Sequence, residues 1–129
     1  MSTLQRPAVE PCRSEETTPV RLNGDALEST APEYLREFKA KLTADRLVPA
    51  ALTVESCFEA DCSLSTQEEA ERIREHIRVA SFLGTGTLTV SFDEVTNEGK
   101  VRPALAACAE RARREGVTLE LDGPLALEP

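Results

Sequence analysis

A chain of 129 residues carrying 15 basic and 23 acidic side chains, net charge −8, has room for one core of ordinary size and not for two. The carboxylate excess repels phosphate backbones and anionic lipid headgroups, so neither nucleic acid nor membrane is an expected partner. No window approaches the roughly 18 apolar residues of a spanning helix, and the N-terminus lacks the continuous apolar core of a signal peptide, so a cytoplasmic location is expected.

Residues 1–18 hold Pro7 and Pro11 among Ser, Thr and Glu without an apolar period. Ordering such a segment costs backbone entropy that little burial offsets, which predicts a disordered arm containing Cys12. The domain is expected over residues 19–122. Val20 and Leu22 alternate with Arg21 and Asn23 ahead of the turn signal Asn23-Gly24-Asp25, a short strand.

Thr30-Ala-Pro-Glu33 has capping-box spacing with Pro32 in the first turn, and Leu35, Phe38 and Leu42 follow at helical intervals with Tyr34 alongside. The helix is expected to reach Arg46 and to end at Leu47-Val48-Pro49. From Ala50 to Glu59, Leu52, Val54 and Phe58 share one face of a strand while Thr53, Glu55 and Cys57 share the other. A tight turn at Phe58–Asp61 would set Cys57 opposite Cys62; a continued strand would not.

Ser65-Thr-Gln-Glu68 repeats the capping spacing and opens a stripe of Ala70, Ile73, Ile77 and Ala80. Glu68–Arg72, Glu71–Arg74 and Glu75–Arg78 are the expected outer-face pairs, and His76 falls on that charged side. Gly84 stands where a left-handed C-cap belongs. Thr87 to Val95 then places Leu88, Val90 and Phe92 on one strand face and Thr87, Thr89 and Ser91 on the other. Pro103 and Gly116 bracket a third helix from Val101 to Glu115, with Leu105, Cys108, Ala109 and Ala112 inward. Val117, Leu119 and Leu121 mark the last strand, and residues 123–129 read as a tail.

The order β-α-β-α-β-α-β predicts an α/β fold, or an α+β two-layer one, with a four-stranded sheet. Strands that alternate, rather than run apolar throughout, place the helices mainly on one face. Four strands at about 4.8 Å span some 19 Å, and two helices of about 10 Å fill that width. The third helix is therefore expected beyond an edge, over part of the Thr-rich face, or against a second copy of the chain. This mismatch predicts a homodimer that uses the face of Thr87, Thr89 and Ser91.

The basic residues divide into 12 Arg and three Lys, and aromatic residues make up 4%. With the surplus of acid, this composition resembles the haloarchaeal style of protein, in which high salt screens self-repulsion.

Cys57-x4-Cys62 is the one motif with potential chemistry. Paired thiolates hold zinc or close a disulfide, but zinc wants four ligands, and only Cys12, an inward Cys108 and a single histidine remain to supply the rest. Small half-buried side chains in a reducing compartment are the plainer reading. Gly84-Thr-Gly86-Thr has the composition of a phosphate loop in the wrong order, helix before strand, so its glycines serve as helix stop and strand entry. Arg102, Arg111, Arg113 and Arg114 interleave with Glu110 and Glu115 as a solvated, ion-paired face. Glu55, Glu120 and Asp122 would matter as a cation or acid–base cluster only if two of them lay within about 6 Å. No catalytic residue, cofactor or metal is assigned. The expected role is a small non-enzymatic interaction or regulatory domain, self-associating and with a further protein partner open to it; the alternative is a thiol redox or metal-sensing protein built on Cys57 and Cys62.

Overall fold

The structure, a computed structural model, describes residues 17–125; Cys12, most of the expected N-terminal arm and residues 126–129 lie outside them. Strands β1 (Thr18–Asn23), β2 (Leu47–Glu55), β3 (Thr87–Ser91) and β4 (Thr118–Asp122) alternate with helices α1 (Pro32–Ala44), α2 (Ser63–Leu83) and α3 (Glu98–Arg114). The four strands form one parallel sheet in the order β1-β2-β3-β4. The fold is α/β.

Sequential order with right-handed crossovers sends every connection back over the same face. Leu22, Leu52, Leu88 and Leu119 lie level across the sheet, and Val54, Val90 and Leu121 form the next apolar row. These rows join Leu35, Ile73, Ile77, Val79, Leu83, Val101 and Leu105 of the helices in one core. Helix α2 packs on β2 and β3, with α1 and α3 on either side of it. All three helices thus share one face, contrary to the flat-sheet estimate that fitted only two. A twisted sheet coils, and the helices sit on its longer, outer arc.

Several boundaries differ from the sequence expectation. Helix α1 starts with Pro32 at its first position after Ala31, without a side-chain cap; Thr30 donates its hydroxyl instead to Glu75 Oε2 at 2.6 Å. That helix ends at Ala44, and Arg46, at φ 61°, turns the chain so that Leu47-Val48-Pro49 begins β2 instead of merely ending a helix. Helix α2 starts two residues before Ser65, with Cys62 in the cap position. It stops at Gly84, whose φ of 86° is the left-handed cap conformation that the sequence indicates. Helix α3 starts three residues before Val101, because the Asn97 side chain accepts from the Lys100 amide. Strand β3 ends at Ser91, and Phe92 leaves it to stack edge-on with Phe58, ring centroids 5.5 Å apart, over the C-terminal end of the core. Leu125, expected in the tail, is buried in the same core.

Candidate interaction face and its rim

The sheet face away from the helices is built in rows. Arg21, Ala51, Thr87 and Thr118 are level; Asn23, Thr53, Thr89 and Glu120 follow; Glu55, Ser91 and Asp122 close the C-terminal end. Thr53, Thr87, Thr89 and Ser91 are half-buried by their own neighbours, whereas Arg21, Glu55, Thr118, Glu120 and Asp122 are exposed. Thr53 donates to the Leu22 carbonyl at 3.3 Å, and Ser91 reaches Asp122 Oδ2 at 3.5 Å. Among the described residues no helix covers this face. Thr53, Glu55, Thr87, Thr89 and Ser91 lie on it as expected, whereas Cys57 does not, because β2 ends at Glu55 rather than at Glu59.

Above the strand ends, a network holds the rim. Asn23 Oδ1 accepts from the Asp25 amide at 2.9 Å, and Asp25 Oδ2 accepts from the Glu55 amide at 2.8 Å. The Arg72 guanidinium meets Asp25 Oδ1 at 3.0 Å and also donates to the Glu55 carbonyl and to Glu69. Arg72 is thus drawn across to the β1 exit, away from the expected Glu68 pairing. Arg74–Glu71 and Arg78–Glu75 form as expected. A hollow of about 220 Å³ opens within the rim, lined by Asn23, Asp25, Thr53, Val54, Glu55 and Ser91.

His76, expected to face solvent, is buried at 6% exposure beneath this network. Its Nδ1 lies 3.0 Å from the Arg72 carbonyl and its Nε2 3.4 Å from the Gly24 carbonyl. The short 3-10 turn Gly24–Ala26 folds down onto it so closely that a Cβ on Gly24 would stand 2.7 Å from Val54 Cγ1 and 2.9 Å from His76 Cδ2. Position four residues after Arg72 placed His76 on a charged stripe; the loop after β1 is what covers it.

Glu120 and Asp122 are neighbours on one face of β4, and Glu55 lies apart from them. Glu55 and Asp122 share a row with Ser91 between them, so two strand spacings, about 10 Å, separate them. Among the described residues no group of three or more His, Cys, Asp or Glu side chains is placed to hold a metal ion.

Cys57 and Cys62 are free and exposed, the first in the loop after β2 and the second at the start of α2. That loop is no hairpin: Phe58 bridges in parallel to Val95, and Asp61 accepts from Asn97 and pairs with Lys100 at 3.0 Å each. The Asn97 amide, then Lys100, holds the Asp61 carboxyl below the usual carboxylate range. Cys108 is buried in the core, and burial pushes its thiol above the ordinary range. Arg102, Arg111 and Arg113 of α3 are ion-paired with Glu98, Glu115 and Glu110.

A family described as a domain of unknown function (DUF8564) matches residues 16–121. The chain belongs to the DUF8564 family. The match begins just before β1 and ends within β4, so the family's domain is this sheet with its three helices. No curated protein matches the chain. Among solved structures, the chain is similar to one titled as a xylose isomerase domain protein from Planctomyces limnophilus, with a TM-score of 0.66 and 13% identity over 81% of this chain. It spans 43% of that protein's length, and the likeness is one of fold. Among the described residues, no helix is long and apolar enough to cross a membrane.

Proposed function

We propose that this protein is a small acidic interaction or regulatory domain, working in the cytoplasm and at high salt, that self-associates through its uncovered sheet face. One observation carries the reading. Parallel sheets occur almost only with both faces covered, and here a four-stranded parallel sheet has a bare face of Thr53, Thr87, Thr89 and Ser91. Covering a hydroxyl costs little when it keeps a partner, and Thr53 already donates to the Leu22 carbonyl and Ser91 to Asp122. The acid-rich surface fits a setting where salt screens the repulsion between two chains of charge −8.

Sedimentation equilibrium across protein concentration, in low and in multimolar salt, tests the proposal. A homodimer in either condition is the expected result. A monomer at high protein concentration in both would end the reading.

A further inference from the structure

Resting on that reading, we propose that the second copy covers the sheet by joining its edges, β4 of one chain beside β1 of the other at two seams, to close an eight-stranded parallel barrel. Four strands in sequential order with all helices outside are half of such a ring. Eight is the strand number at which an interior is just wide enough for side chains to fill it. A two-fold axis along the barrel makes both seams identical and leaves no edge open.

Charge selects this arrangement over stacking of two sheets face to face. Arg21 on the β1 edge and Glu120 on the β4 edge are exposed on the inner face, and neither has an ion pair among the described residues. Two identical seams that share the ring's stagger of eight residues take four each, which sets Arg21 level with Asp122 of the partner chain and one inward-facing position above Glu120. An even offset keeps every side chain on its own face. Pro19 faces the open β1 edge, so one ladder bond of the seam stays unmade. In the closed ring, Glu55 and Asp122 stay at the wet C-terminal rim, and the two inner rows carry no charge but Arg21 and Glu120. Stacking sheet on sheet would bury all three carboxylates of each copy against one arginine. Outside the seam, an apolar hollow of about 210 Å³ lined by Ala109, Arg113, Val117, Thr118 and Leu119 offers room for the flank of the partner's first helix.

The test is a charge swap read by sedimentation at physiological ionic strength, with circular dichroism to confirm folding. Arg21→Glu and Glu120→Arg alone should each weaken dimerisation by about tenfold or more, and the double variant should restore it. A second variant, Arg21→Cys with Asp122→Cys, should give an interchain disulfide joining those two positions, identified by mass spectrometry of the linked peptides. Within one chain the two positions are three strand spacings apart across the sheet, about 14 Å even before their offset along the strands, beyond disulfide reach. A dimer indifferent to both reversals and without that crosslink would overturn the barrel while leaving self-association standing. A wild-type monomer in every salt condition would overturn both.

Discussion

Asp25 and Arg72, 47 residues apart in sequence, meet at 3.0 Å and tie the exit of β1 to the middle of α2. The same guanidinium reaches the Glu55 carbonyl, and the same carboxylate accepts from the Glu55 amide, so three segments converge on two side chains.

Both side chains are about one-third exposed, which limits the ion pair itself. Replacing Arg72 with Met should cost about 1 kcal/mol in urea denaturation, mainly through the backbone bond at Glu55. Amide exchange at Glu55 should quicken with it. Unchanged stability and exchange would show that the network is decorative.

Gly24 is closely packed in the rim, and its constraint is space rather than backbone angle. Gly24→Ala should destabilise by about 1–3 kcal/mol, as overpacking does. With His76→Ala in the same chain the two penalties should fall short of their sum, since the shortened side chain removes one of the two clashes. A fully additive cycle would argue against the contact.

The Thr30 hydroxyl, more than the half-exposed Arg78 partner, holds the Glu75 carboxyl below its ordinary value of 4.5. A carboxyl with a depressed folded value binds fewer protons folded than unfolded. Its contribution is therefore complete above the ordinary glutamate range and is lost as pH falls through the lowered value. Thr30→Val should cost under about 1 kcal/mol at neutral pH, and its difference from wild type should narrow as the medium is acidified below that range. A difference that stays constant with pH would rule this linkage out.

Thiol labelling of the folded protein should modify Cys57 and Cys62 quickly and Cys108 only after unfolding, because burial both shields that sulfur and disfavours its thiolate. Replacing Cys57 and Cys62 together by Ser should leave dimerisation unchanged. Loss of a metal or of a redox response in that double variant would instead support the thiol alternative.

Local chemistry made the elements legible. The 3.6-residue stripe of Ala70, Ile73, Ile77 and Ala80, the period of two in Leu88 and Val90, and Gly84 as a stop all act within one segment, where side-chain spacing alone decides which face turns inward. Helix starts were less legible, because a capping signal such as Thr30 competes with distant partners, and Glu75 won it. The ion pair of Arg72 and the burial of His76 had no local sign: each depends on the loop after β1 folding across α2.

By itself, then, the sequence determined the order of strands and helices, the apolar face of each, and the polar character of the row Thr87, Thr89 and Ser91. Only the tertiary structure decided that the strands lie in the order β1-β2-β3-β4, that all three helices fit one face, and that Arg21 and Glu120 end on opposite edges of the other. Periodicity is a property of neighbours along the chain, whereas register and coil arise from contacts between segments tens of residues apart, and no single segment encodes them.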